Sequence, residues 1–212
     1  MTRQRGALTK IHSLNVCFLA SVAVKNNTID LSATCTKREV VMATWKNDPD
    51  HSHLGFVVRH LMITDINGRF ADVAIDLETG NDDLSDAVFT MTAKAVSIDT
   101  HVHARDEHLR SPDFFDVAQH PEVTFQSSSV RLGPDHTGTI TGLLEMRGTA
   151  REVTFNITAS DRITNPINNK ETQSFSITGE VNRSDFGIGP NIPAAIVGDR
   201  VKVAANFEVS PA

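Results

Sequence analysis

The chain has 212 residues, 40% hydrophobic and 22% charged, enough for one large β domain or two small ones with a real core. Its net charge of −6, without any block of five Lys or Arg, excludes a phosphate-neutralising nucleic-acid surface and argues against a general patch for anionic membranes. Its two cysteines, Cys17 and Cys35, both precede the regularly patterned region, so that region needs neither a disulfide nor Cys-based metal or thiol chemistry.

Residues 1–41 do not share the pattern of the rest of the chain. Basic MTRQRGALTK precedes IHSLNVCFLASVAV, which loosely resembles an export signal. His12, Ser13 and Asn15 interrupt its apolar run, and Ser21-Val22-Ala23 is a weak cleavage site. No run reaches the ~18 apolar residues of a membrane-spanning helix. We therefore expect a disordered extension or a degenerate export signal, followed by one domain over residues 42–212. A start near Met42 predicts a cytoplasmic protein; a working signal predicts a periplasmic one.

From Thr44 onward the pattern is period two, which places successive side chains on opposite faces of a sheet. After a short strand at Thr44–Asn47 come Leu54–Ile63, then Ala71, Val73, Ile75 and Leu77 alternating with Asp72, Asp76 and Glu78. Phe89, Met91, Ala93 and Ala95 form the next dry face, and Val123–Leu132 a further strand. Ile140, Gly142, Leu144 and Met146 repeat the alternation, as do Val153, Phe155, Ile157 and Ala159. Phe175, Ile177, Gly179 and Val181 come next, and Val201, Val203, Ala205, Phe207 and Val209 close the series. Turn chemistry at Asn67-Gly68, Gly80-Asn81, Gly133-Pro134-Asp135 and Arg147-Gly148 separates many of these runs. Eight or nine one-faced strands joined by short turns predict an all-β, antiparallel barrel or sandwich. Strands of about ten residues, roughly 33 Å long, favour the barrel. Small inward residues (Ala93, Ala95, Gly142, Ala159, Gly179, Ala205) leave either a ligand cavity or room that facing Phe and Met side chains fill.

The motif series resembles the YceI-like family. It runs through Trp45-Lys-Asn-Asp-Pro-Asp-His51-Ser52, Phe56-Val-Val-Arg-His60-Leu61-Met62, Gly68-Arg69-Phe70 and Ser97-Ile-Asp99-Thr100. Arg105-Asp-Glu-His-Leu-Arg-Ser111, Asp113-Phe-Phe-Asp116 and His120-Pro-Glu-Val-Thr-Phe125 continue it. Arg147-Gly148-Thr149, Asn182-Arg-Ser-Asp-Phe-Gly187 and Gly198-Asp-Arg-Val201 complete it. The resemblance implies a lipocalin-like barrel of about eight strands holding an isoprenoid lipid, a polyprenyl chain or quinone tail, as a non-catalytic carrier. It alone implies a homodimer. No other cofactor and no metal is expected.

An apolar tail needs a dry channel, and burying ten methylenes gains roughly 8 kcal/mol before ordering costs. The expected lining is Phe56, Val58, Met62, Phe89 and Met91, continued by Phe125, Leu144, Met146, Phe155 and Phe175. His60 shares the face of Phe56 and Val58, either as a core histidine bonded to backbone or as a contact to a polar ligand head. Ser97–Ser127 is the one stretch that does not alternate. Within it Asp106–Arg110 is expected to form a short helix, stopped because Pro112 disfavours helical geometry at Ser111. Leu109, Phe114 and Phe115 are then expected to cap one barrel mouth.

Enzymatic readings find little support. No Gly-x-Ser-x-Gly elbow, Gly-x-Gly-x-x-Gly or Walker loop is present. His101-x-His103, with His108 nearby, would suit a metal only if both rings shared a strand face, and the pair lies past a strand end. A His-dependent metal- or heme-assisted enzyme using His60 or this pair is the alternative from another class.

Overall fold

The computed structural model describes residues 42–212 and two short strands before them, β1 (Ala23–Lys25) and β2 (Thr28–Asp30). These two pair antiparallel and belong to a separate unit, residues 1–42. The export-signal and disorder expectations otherwise lie outside the described residues.

Residues 43–212 form a closed antiparallel barrel of eight strands, several of them broken in the middle. The first consists of β3 (Ala43–Asn47) and β4 (His53–His60), separated by a 3-10 turn at Pro49–His51. Asn47 secures the break: its side chain accepts from Ile75 N at 2.8 Å and donates to Ser52 Oγ at 2.9 Å. The second consists of β5 (Thr64–Phe70) and β6 (Val73–Thr79), and pairs along both halves of the first. The third is β7 (Val88–Lys94), a 3-10 turn at Ala95–Ser97 and the two-residue β8 (Ile98–Asp99). After α1 (His103–Arg110) come β9 (Glu122–Leu132), β10 (Thr137–Met146) and β11 (Thr149–Ala159). The two-residue β12 (Ile163–Thr164) precedes β13 (Glu171–Asn182) and β14 (Val197–Pro211). Each strand pairs with its sequence neighbour, and β14 closes the ring by pairing with both β3 and β4.

Three predicted strands are therefore shorter than the alternation indicated: Leu54–Ile63 ends at His60. Ala71 lies in a bend ahead of β6, and Ala95 begins a 3-10 turn after β7. A bulge at Ser128 corrects the phase of β9: Thr141 pairs with Ser129 and Gly142 with Ser127. Val123, Phe125 and Ser127 are buried before it, and Val130 after it. Without the extra residue Ser129 and Arg131 would face the core, so the bulge keeps both halves of the strand dry on one side.

The barrel is packed solid at one end. Phe89, Phe175 and Phe207 meet there, with Phe89 edge-on to Phe175 at 5.0 Å and Phe175 stacked on Phe207 at 5.6 Å. Trp45, Leu77, Leu84 and Val209 are buried in the same core. Arg162 lies 4.8 Å over the Trp45 ring and donates to Asp82 at 2.8 Å. The opposite end carries α1, the turn between β4 and β5, and the segment between β13 and β14.

Candidate functional site

Above the Phe89–Phe207 floor the lumen opens into a cavity of about 170 Å³. Its wall is apolar apart from one side chain, Arg183. Phe56 and Val58 from β4, Met91 from β7, Phe125 from β9, Leu144 and Met146 from β10, and Phe155 from β11 all line it. Leu109, Phe114 and Phe115 line it from α1 and the loop after it.

Three wall phenylalanines are held flat by glycines on neighbouring strands. A Cβ added at Gly68 would lie 2.2 Å from the Phe56 ring, at Gly142 2.7 Å from Phe125, and at Gly179 2.3 Å from Phe155. Gly142 and Gly179 thus make room for rings, not for ligand. Ala93, Ala95 and Ala159 are sealed in the packed wall. Of the six small inward positions, only Ala205 borders the cavity. The lumen exists because the rings lie along the wall instead of across it.

Three expected lining residues are placed elsewhere. Met62 is 66% exposed, because β4 ends at His60 and Met62 belongs to the turn beyond it. His60, the last residue of β4, is half-buried and does not line the cavity. The β4–β5 hairpin runs past the lumen there, so an inward position no longer has a facing wall. Phe175 lies beneath the floor between Phe89 and Phe207, because β13 starts at the packed end.

Lining residues missed from the sequence include Leu54, Phe70, Ile75, Val123, Ile177, Val181, Val201, Val203 and Phe207. Most occupy the same dry faces, and the alternation itself could have found them. Ile188 and Val197 come from non-alternating sequence, and Arg183, at the end of an alternating run, is a charged residue that the pattern would not place inside; only the tertiary structure brings the three to the wall.

The mouth is organised by arginines that bind backbone carbonyls. Arg183 is buried and donates to five of them: Gly198, Ile188, Gly189, Ile192 and Val197, at 2.6–3.2 Å. Its fork is thereby saturated. Arg147 ties the two mouth segments together, donating to the carbonyl of Gly187 and, at 2.8 Å, to that of Pro112. Arg110 anchors α1 by donating to the carbonyls of Val96 and Ile98, both at 2.8 Å. Buried Asp106 accepts from Thr100 N at 2.9 Å and from Thr100 Oγ1, while Arg105 donates to the same Thr100. These contacts explain why α1 begins at His103, three residues before the expected start. At its other end Ser111 is extended, with ψ 168° ahead of Pro112.

The histidines are dispersed. His101 sits left-handed in the turn before α1, 3.5 Å from Asp99, whereas His103 opens the helix 3.9 Å from Glu107. Asp99 accepts from the His101 amide and from Arg69, which hold its carboxyl below the usual range. Among the described residues, no group of three or more His, Cys, Asp or Glu is arranged to hold a metal ion. No helix among them is long and apolar enough to cross a membrane.

Comparison with known proteins agrees with this architecture. A UPF0312 protein of Staphylococcus epidermidis is 30% identical over 173 residues, covering 80% of this chain and 98% of that protein. A Staphylococcus aureus relative is 31% identical over the same length, with the same coverage. The crystal structure of Burkholderia cenocepacia BcnA superposes with a TM-score of 0.69 at 22% identity, over 76% of this chain and 98% of that one. A Campylobacter jejuni YCEI protein gives 0.66 at 24% identity, over 73% and 90%. A domain from Saccharophagus degradans gives 0.60 at 12% identity, over 80% and 99%. At these identities the structures show a shared fold. Residues 45–209 match the YceI-like domain, the whole span of the barrel's sequence motifs, and the chain belongs to the YceI-like family.

Proposed function

We propose that the barrel is a non-catalytic carrier for one isoprenoid lipid, a polyprenyl chain or quinone tail, bound in the cavity. The observation that carries this reading is a lumen closed at one end whose wall offers a single polar side chain, already saturated by carbonyls. Such a wall rewards apolar surface and offers a polar substrate no orienting groups. The fold is shared with the Saccharophagus degradans domain, which is described as polyisoprenoid-binding.

Size sets how the tail is held. An apolar cavity of about 150 Å³ accepts benzene, so 170 Å³ takes about one five- or six-carbon unit without movement. A longer tail enters end first, rests on the Phe89–Phe207 floor, and displaces Met91 and Met146 or the mouth segments. Methionine suits this, having three rotatable bonds and an adaptable shape. Mass spectrometry of an organic extract of the purified full chain tests the reading, together with titration of a short-chain prenyl quinone. We expect one prenyl lipid per chain, or saturable uptake of the quinone. No extracted lipid together with no uptake would overturn it.

A further inference from the structure

The turn joining β4 to β5 exposes three consecutive large apolar residues, Leu61 at 49%, Met62 at 66% and Ile63 at 75%. Ile196, 45% exposed, joins them, because the Leu61 amide donates to its carbonyl at 2.9 Å. This cluster stands at the cavity mouth. Val58 on β4 and Val197, next in the chain after Ile196, both line the lumen, so an apolar track runs from the turn to the interior.

Folding does not account for these residues. Leu61 and Met62 have φ values of 49° and 60°, the left-handed pair of a tight hairpin turn. Such turns favour Asn-Gly, because a large side chain crowds its own backbone there. The turn therefore keeps Leu and Met against its own conformational preference, and neither packs into the barrel.

From this arrangement we infer that the β4–β5 turn docks on a lipid bilayer surface, where the cavity exchanges its lipid; the exchange rests on the carrier reading. Two features select a bilayer over a protein partner. Half of the turn's backbone groups are paired internally: Ile63 N donates to His60 O at 3.1 Å, Leu61 N to Ile196 O, and Arg59 donates to Ile63 O at 3.2 Å. Hydrocarbon penalises unsatisfied backbone groups heavily, so this pairing, with Met62 N and the carbonyls of Leu61 and Met62 left to the hydrated headgroup layer, suits shallow insertion at the interface. Charge points the same way. Arg59 and Asp65, flanking the turn, pair at 3.1 Å, so an apolar tip without net charge projects from a chain carrying −6. That tip complements the hydrocarbon–headgroup boundary and not a charged protein face.

The test uses the full chain, phosphatidylcholine vesicles and a fluorescent prenyl alcohol as probe. The variant Leu61→Asn/Met62→Gly/Ile63→Thr installs the preferred turn residues, so its melting temperature should not fall. We expect vesicle co-flotation to drop at least tenfold, probe transfer to vesicles to slow in proportion, and equilibrium probe binding to stay unchanged. Wild-type flotation and transfer in the variant would overturn the inference. So would a variant that changes only from dimer to monomer in size-exclusion chromatography, which would assign the turn to a second copy of the chain. If neither protein binds the probe while flotation is still lost, docking stands and the carrier reading fails.

Discussion

Replacing Arg183 by Met tests how the mouth is held. The guanidinium is buried and has five carbonyl partners between 2.6 and 3.2 Å. Methionine roughly keeps the stem's packing but removes every donor. Gly189 O retains the Ile192 amide at 3.0 Å. The carbonyls of Ile188 and Ile192 lie outside any strand, and Arg183 is their one hydrogen-bond donor among the described residues. The buried Ile188 carbonyl, once orphaned, costs about 1–3 kcal/mol, and the half-buried Ile192 carbonyl, which water can reach, adds less. For a domain of this size a loss of about 1–3 kcal/mol lowers the melting temperature by roughly 2–12 °C. Urea unfolding followed by Trp45 reports the global loss, because the sole tryptophan is 4% exposed at the packed end, away from the mouth. Hydrogen exchange over residues 187–198 reports local opening. If the segment opens alone, exchange there accelerates while the Trp45 transition stays in place. An Arg183→Met protein unchanged in both measurements would refute the claim that these hydrogen bonds hold the mouth.

Glycine substitutions should separate fold from cavity. A Cβ at Gly142 meets backbone, Gln126 O at 2.3 Å and Ser127 Cα at 2.7 Å, so Gly142→Ala should lose about 3 kcal/mol or more in urea unfolding. At Gly68 the nearest atoms all belong to the Phe56 ring, which can swing into the lumen; Gly68→Ala should weaken prenyl quinone uptake more than it lowers stability. Ala205→Phe should fill the cavity, abolish uptake and leave stability equal or raised by about 0.5–2 kcal/mol in the same titration and unfolding assays. Asp99, held below its ordinary 3.8 chiefly by the His101 amide, with Arg69 assisting, should stabilise the turn before α1 fully above that pH. Its contribution should fade as pH falls through the lowered folded-state value. Melting curves of wild type and Asp99→Asn should therefore differ at neutral pH and converge in strong acid.

Much of the barrel was legible because period two is a local property. Gln173–Arg183 and Val201–Val209 each carry their dry and wet faces within a few residues, and they pair in register as β13 and β14. The inward placement of Phe114 and Phe115 was legible for a related reason: two adjacent rings in an otherwise polar loop have few places to go but the nearest opening. Where alternation met a strand end, it misled. His60 and Met62 keep the parity of Phe56 and Val58, yet parity indicates a direction and not whether a wall stands opposite. Phe175 shows the complementary limit, since it points inward at a height where Phe89 and Phe207 already fill the lumen.

Residue order by itself thus determined which faces are dry, that eight or nine strands form, and that Pro112 ends a helix. The tertiary structure alone decided whether the interior is solid or hollow. That depends on rings from one strand lying over glycines of the next, Phe56 on Gly68, Phe125 on Gly142 and Phe155 on Gly179. It also depends on Arg183 meeting carbonyls up to fifteen residues away. Both are contacts between segments whose spacing in the chain carries no periodic signal, so they become visible only when the barrel closes.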